Sequence, residues 1–392
     1  MAGYSTPHNL FSTPDLQSQL TPTPQTFLYP YHSPSVADDL IKTAQALVHP
    51  KGKGIYATDE TPEALEGVFM GSFGVGDPKA GVLLDEDEKK QRRVRWREAA
   101  YKAVSSEYIS GVILYEETLL DFGLGPILSN KGIIIGVRAN GELAPLPPKS
   151  TSEFIVQGLD DLLPKLQAAR VSGARFSKWR VPIACTDITQ GLPSQIALEV
   201  QAETLAQYAS ISQQAGLVPI VEPDVEFSEG ATLERSAEVH EKAISLIYER
   251  CKAYGVLLEG TLIKPSFPQP GLKHPSRAHI TSQEIAFATA TVLSRSVPTA
   301  VPGVVFLSGG LQSTVATQWL GALNQLVATS LPTSPFSRLP PLSFSFGRAL
   351  QGDALKHWVK GEDKEVQESF DKWSRACWLA AKGDLAELEL IK

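Results

Sequence analysis

From about residue 36 onward, short apolar runs alternate with longer stretches whose apolar residues recur every three or four positions. The short runs are 54–58, 109–115, 133–137, 174–181, 217–221, 256–263, 304–307 and 342–346. They are β-rich and apolar nearly throughout, the pattern of strands buried on both faces. The longer stretches predict helices. Segment 193–214 carries Ile196, Leu198, Val200, Leu205, Tyr208 and Ile211, and Gly216 is placed to stop it. Segment 232–254 carries Leu233, Val239, Ala243, Ile244, Ile247 and Tyr248. Segment 281–294 opens with Thr281-Ser282-Gln283-Glu284, a capping-box pattern. Segment 85–104 begins acidic and turns basic, as a helix dipole favours, and its run of charges reads as a solvated face.

Strand then helix, eight times over, predicts an α/β fold of the parallel (β/α)8 TIM barrel type. The competitor, a doubly wound open sheet, loses ground because no Gly-x-Gly-x-x-Gly follows the first strand. Residues 1–35 break the pattern. They are rich in Pro, Ser and Thr, hold no Lys or Arg, and predict an N-terminal arm too polar to build a core. Phe27, Leu28, Tyr29 and Tyr31 are the side chains with which it could anchor to the body, taken as residues 36–392 with a helical tail.

Charge and cysteine content narrow the classes. With 36 basic and 43 acidic side chains among 392 residues, the net charge of −7 argues against a general nucleic-acid binder. Cys185, Cys251 and Cys377 form neither a disulfide framework nor a zinc ribbon, and point to a reducing, cytoplasmic setting. No His/Cys cluster has metal spacing, so neither metal nor other cofactor is expected. No apolar run has membrane-spanning length, and the N-terminus reads as neither a secretory signal nor an Arg-rich transit peptide.

In a barrel of this kind, chemistry collects where strands end. Those ends carry Asp59-Glu60, Glu116-Glu117, Arg138, Lys178-Trp179-Arg180, Glu222-Pro223-Asp224, Lys264-Pro265, Ser308-Gly309-Gly310 and Gly347-Arg348. A single strand-end charge is ordinarily a cap or a surface group, but crowding so many onto one rim points to use. Lys264 ends an apolar run. Desolvation and a neighbouring cation such as Lys178 both favour the neutral form of an amine, which attacks a ketone to form a Schiff base. The protonated imine is an electron sink for C–C cleavage or formation. Glu222 or Asp224 could supply the acid for carbinolamine dehydration, and Asp59 a base for the cleaved hydroxyl. Ser308-Gly309-Gly310 with Gly347-Arg348 reads as a phosphate cradle on adjacent strands.

These segments, from Lys51-Gly52-Lys53-Gly54-Ile55 to Gly347-Arg348-Ala349-Leu350-Gln351, resemble the class I, Schiff-base fructose-bisphosphate aldolases in family order over about residues 36–380. The resemblance implies a metal-free barrel, usually a homotetramer, that reversibly cleaves fructose 1,6-bisphosphate to dihydroxyacetone phosphate and glyceraldehyde 3-phosphate. It implies Lys264 as the imine lysine, Glu222 as the dehydration acid with Lys178 as its partner, and Asp59 as the base. Arg180 would line the substrate channel, and Ser308, Gly309, Gly347 and Arg348 would hold the ketone phosphate.

Several positions depart from the family pattern. Thr61-Pro62-Glu63-Ala64 replaces a Ser/Thr-rich turn, and Val68 stands where the family has an arginine for the aldehyde phosphate. Arg138 replaces a lysine, Asp224 replaces a glutamate, and no tyrosine follows Tyr254, whereas the family tail ends in one. These departures open two alternatives: a divergent class I aldolase whose aldehyde lacks a phosphate or is bulkier, and a non-catalytic scaffold.

Overall fold

The computed structural model describes residues 31–391 except 75, 76, 78, 80, 81, 148–151, 228 and 229. Its strands are β1 (Gly54–Thr58), β2 (Ile109–Leu114), β3 (Ile134–Arg138), β4 (Leu143–Pro145), β5 (Phe154–Val156), β6 (Phe176–Cys185), β7 (Val218–Phe227), β8 (Leu262–Ile263), β9 (Val304–Phe306) and β10 (Leu342–Phe346). Eight of them close into a parallel barrel in the order β1-β10-β9-β8-β7-β6-β3-β2. The remaining two, β4 and β5, form an antiparallel hairpin at the mouth. The (β/α)8 expectation therefore holds; the hairpin was not foreseen.

The helices are α1 (Pro34–Val48), α2 (Pro62–Ser72), α3 (Glu86–Ala103), α4 (Glu116–Leu120), α5 (Gly125–Ser129), α6 (Leu162–Val171), α7 (Gln195–Gln214), α8 (Leu233–Ala253), α9 (Ser282–Ser296), α10 (Ser313–Thr329), α11 (Arg348–Trp358), α12 (Asp363–Lys382) and α13 (Leu385–Leu388). Their starts follow side-chain capping. Ser194 caps α7, Thr232 caps α8, and complete capping boxes join Asp85 to Glu88 on α3 and Thr281 to Glu284 on α9. No helix among the described residues is long and apolar enough to cross a membrane.

Alternate residues along the strands serve two cores. Tyr56, Val112, Ile135, Val221, Val304 and Phe344 face the helical shell. Ile55, Ile113, Phe176, Ile220, Leu262 and Val305 fill the barrel axis. That inner core is completed by α1, whose Leu40, Ala44 and Leu47 plug the barrel from below. Glycines make room for the plug: a Cβ at Gly111 would lie 2.7 Å from the Leu47 side chain, and one at Gly136 only 2.3 Å from the Phe176 ring.

Helix α1 begins at Pro34, capped by Ser33, so the body starts slightly earlier than residue 36. Phe27, Leu28 and Tyr29 of the expected arm lie outside the described residues, while Tyr31 is exposed beside Gly255. A second revision concerns α3. Its charge run is not simply a solvated face, because Arg93 and Arg97 are buried and paired with Glu117 and Glu60, at 2.7 and 3.0 Å. Glu117 is thereby committed to the shell rather than to the mouth.

Candidate active site

The strand-end residues converge as the periodicity predicts. Asp59, Arg138, Lys178, Arg180, Glu222, Asp224, Lys264, Ser308, Gly309, Gly347 and Arg348 all line one cavity of about 590 Å³ at the C-terminal mouth of the barrel. Register explains part of the convergence. On adjacent strands Arg138 lies opposite Lys178, and Arg180 opposite Glu222. Strand β8 is only two residues long, yet the ladder continues past it. The Lys264 N–H donates to the Val221 carbonyl at 2.8 Å, and the Leu307 N–H to that of Pro265 at 3.0 Å. Lys264 is thus held by the barrel itself and not by a loop.

At the centre is a buried network of two cations and two carboxylates. Lys178 Nζ lies 2.7 Å from Asp59 Oδ2 and 3.0 Å from Glu222 Oε2, and Lys264 Nζ lies 3.2 Å from Glu222 Oε1. Glu222 therefore bridges the two lysines. Burial opposes the charge on Asp59, Glu222 and Lys178, but for these three the neighbours overrule it. Burial opposes the charge on Asp59, yet Lys178, Lys264 and Arg138 hold its carboxyl well below the usual range. Glu222 follows the same logic, lowered by Lys178 and Lys264 against burial. Lys178 is raised, since Asp59 and Glu222 outweigh its own desolvation. Lys178 is thus a fixed cation, and Glu222 can exchange a proton with whatever stands at Lys264.

On one flank, β9 and β10 build a cradle. Gly309 and Gly310 adopt positive φ of 54° and 81°, which glycine tolerates without cost. A Cβ at Gly310 would sit 3.1 Å from Arg348 Nη2, so the bare backbone lets the guanidinium lie against the turn. Arg348 opens α11 behind the N-cap Gly347, where a Cβ would meet the Ala57 carbonyl oxygen at 2.9 Å. Two helix N-termini, of α10 and α11, close this flank and favour an anion. Ser345, not singled out from the sequence, also lines the cavity, and its buried hydroxyl has no hydrogen-bond partner. The signal was present: Ser343 and Ser345 alternate with Phe344 and Phe346, which places the serines on the inner face.

The opposite flank, from β1, β3 and β6, is different. Ala64, Val68 and Leu143 make it apolar and Glu142 adds a carboxylate, while the charge of nearby Glu60 is already met by Arg97 and Gln351. Its arginines are already engaged. Arg180 Nε donates to Asp224 at 2.7 Å and its Nη2 pairs with Glu226, so the guanidinium is held even more firmly charged than usual despite burial. Arg138 donates to the Asn140 and Asp59 carbonyls at 3.3 and 3.4 Å and lies 5.8 Å from the centre of the Tyr115 ring. Asp224, expected as a possible acid, reaches the cavity but spends its carboxylate on Arg180.

Behind Lys264 lies a relay that the sequence reading did not find. His240 is buried in α8, with Nδ1 2.7 Å from the Ser236 carbonyl oxygen. A carbonyl only accepts, so Nδ1 carries the proton and Nε2 accepts from the Ser266 hydroxyl at 2.9 Å. The Ser266 oxygen in turn accepts from the Val225 N–H at 3.1 Å. Burial pushes His240 down to about 4, so the imidazole is neutral. The relay ties α8 to β7 just after Asp224 and to the segment just after Lys264.

Comparison with known proteins bears on the family and the fold. A family model described as "Fructose-bisphosphate aldolase class-I" matches residues 39–389. A fructose-bisphosphate aldolase of Dictyostelium discoideum is 38% identical over 336 residues, covering 84% of this chain and 87% of that protein. Human fructose-bisphosphate aldolase B is 38% identical over 354 residues, covering 88% and 90%. Among solved structures, fructose-bisphosphate aldolase from Plasmodium falciparum, in complex with TRAP and a small-molecule inhibitor, aligns with a TM-score of 0.79 at 33% identity. It covers 89% of this chain and 96% of its own.

Proposed function

Since the chain belongs to the class I fructose-bisphosphate aldolase family, we propose that it is a metal-independent aldehyde-lyase that reversibly cleaves fructose 1,6-bisphosphate. Dihydroxyacetone phosphate and glyceraldehyde 3-phosphate are then the products, and no cofactor is required. The observation that carries this reading is Lys264, buried at the mouth with its amine 3.2 Å from Glu222.

The steps follow from the contacts. Glu222 takes a proton from the Lys264 ammonium, and the freed amine adds to the ketone carbon. The same carboxyl returns a proton to the carbinolamine hydroxyl, which leaves as water and yields the iminium. Asp59, kept ionised by Lys178, accepts the proton of the hydroxyl on the carbon being released. The C–C bond breaks, and its electrons pass into the iminium to give an enamine. Protonation and hydrolysis of that enamine release the ketone phosphate and restore Lys264. Arg348, Ser308, Gly309 and Gly347 hold that phosphate, while Arg138 and Arg180 line the path of the aldehyde half. Asp224 acts as the partner that orients Arg180 rather than as an acid.

A glycolytic role in the cytoplasm fits this chemistry and the three free, buried cysteines. A homotetramer is supported by an apolar cleft between α8 and α9 in which Phe287 stays 60% exposed, and light scattering at working concentration tests it. The decisive experiment is borohydride reduction in the presence of dihydroxyacetone phosphate, read by peptide mass. An adduct on Lys264 is the expected result. Folded protein without an adduct would leave the scaffold reading standing.

A further inference from the structure

We propose that Gln351 is a positioning residue for the ketone phosphate: it ties the first turn of α11 to β1 and so fixes where Arg348 stands relative to Lys264. This inference rests on the Schiff-base reading above.

Arg348 is exposed at the mouth and lies against the turn at Gly310. A long exposed side chain takes its aim from the backbone that carries it, so the first turn of α11 decides where the guanidinium can reach. That turn is held on three sides. Gly347 packs so closely on β1 that a Cβ there would meet the Ala57 carbonyl oxygen at 2.9 Å. The Ser313 hydroxyl, at the start of α10, donates to the Ala349 carbonyl at 2.7 Å. Gln351 supplies the third tie. It lies three positions after Arg348, one turn along the helix, and is fully buried.

The Gln351 amide is used at both ends. Its Nε2 donates to Glu60 Oε1, and its Oε1 accepts from the Tyr56 hydroxyl. The partners fix this orientation. A carboxylate only accepts, and burial pushes the Tyr56 phenol well above its ordinary value, which keeps its proton in place to donate. Glu60 Oε2 is held in turn by Nη2 of the buried Arg97 at 3.0 Å. Tyr56 stands in the middle of β1 and Glu60 just past its end, so the amide meets β1 at two points. Glu60 directly follows Asp59, whose carboxylate is 2.7 Å from Lys178. One amide thus joins the turn that carries Arg348 to the strand end that carries the base.

Apolar residues would fill this space at less cost, because a buried carboxylate, amide and guanidinium must each be paired. What directional bonds add is position, since apolar packing tolerates small shifts that a hydrogen-bonded amide does not. A displacement of about 1 Å in a group that positions the reacting molecule can cost on the order of 100-fold.

The test measures steady-state cleavage of fructose 1,6-bisphosphate and fructose 1-phosphate by the full-length chain. Gln351→Met keeps the length and approximate volume of the side chain and removes both bonds. It should raise KM for both substrates, which share the ketone phosphate, by about tenfold, and lower kcat by less than about threefold. In the Arg348→Ala background the same substitution should change KM by less than about twofold, because its effect passes through the guanidinium. Tyr56→Phe removes one bond only and should raise KM by about twofold to threefold. Read in the same two backgrounds, it decides the matter if Gln351→Met does not fold. An equal rise in KM with and without Arg348 shows a merely structural role and overturns the inference, as does a KM that neither substitution changes. Borohydride trapping of dihydroxyacetone phosphate on Lys264 of the wild type accompanies these kinetics. With trapping intact, either adverse outcome overturns the positioning role alone, whereas absence of trapping overturns the Schiff-base reading and this inference with it.

Discussion

The two flanks of the mouth solve opposite problems with similar materials. Both hold arginine. At the β9–β10 flank Arg348 lies against bare glycine backbone, between two helix N-termini, while nearby Glu60 is taken up by Arg97 and Gln351. At the β1–β3–β6 flank Arg180 is bound by Asp224 and Glu226, and Arg138 is spent on backbone carbonyls and an aromatic ring. A cation counts as an anion site only when its charge is left over after its own neighbours are satisfied. By that measure the first flank suits an anion better than the second, although a tally of basic residues would rate them alike.

The largest effect should come from the residue that both flanks serve. Lys264→Met is expected to abolish turnover by on the order of 10³-fold or more while circular dichroism stays native, because no other amine can form the imine. Next, Arg348→Ala should cost about 10- to 100-fold in kcat/KM for fructose 1,6-bisphosphate, chiefly through KM, as loss of a charge-assisted fork implies. Arg138→Ala should cost less than about threefold, and equal losses in the two variants would break the comparison. Val68→Arg sharpens it from the other direction. Placing a free guanidinium on the poor flank should lower KM for fructose 1,6-bisphosphate several-fold and leave fructose 1-phosphate unchanged, read by steady-state kinetics.

The smallest effect on activity is expected behind the site. His240→Ala leaves the Ser266 hydroxyl without its acceptor and should destabilise the fold by about 1–3 kcal/mol, measured by denaturant unfolding. His240 also sets a pH dependence. Its ordinary value is 6.5 and its folded value about 4, so the unfolded chain binds more protons between them. Its contribution is fully present above pH 6.5 and is lost as pH falls towards 4, on the order of 3 kcal/mol in all. His240→Gln should flatten that slope. Asp59 and Glu222, both depressed, add a loss only at lower pH, as each is protonated below the usual carboxylate range.

What could be read from the sequence was whatever is written locally. Each chemical residue of the mouth follows its own apolar run or, like Lys178, sits within it, so Asp59, Lys178, Glu222, Lys264 and Arg348 could be found one strand at a time. The capping boxes at Asp85 and Thr281 are likewise contained within four residues. What escaped depends on partners far apart in the chain. The burial of Arg97 is visible only once Glu60, 37 positions away, is beside it. The His240–Ser266 bond spans 26 positions, and nothing near His240 announces it. Helix α1 escaped for another reason: Leu40, Ala44 and Leu47 do have helical spacing, but short amphipathic segments next to a polar arm carry little signal until the barrel offers a hole to fill.

That plug has a consequence for the order of events. With α1 and Phe176 sealing the floor, and Leu262 of that floor two positions before Lys264, the amine proposed to form the imine stands near the closed end of the barrel. Traffic to such an end is last in, first out. On the proposed chemistry the ketone then enters before the aldehyde and leaves after it, and an aldehyde that arrives first becomes a stopper.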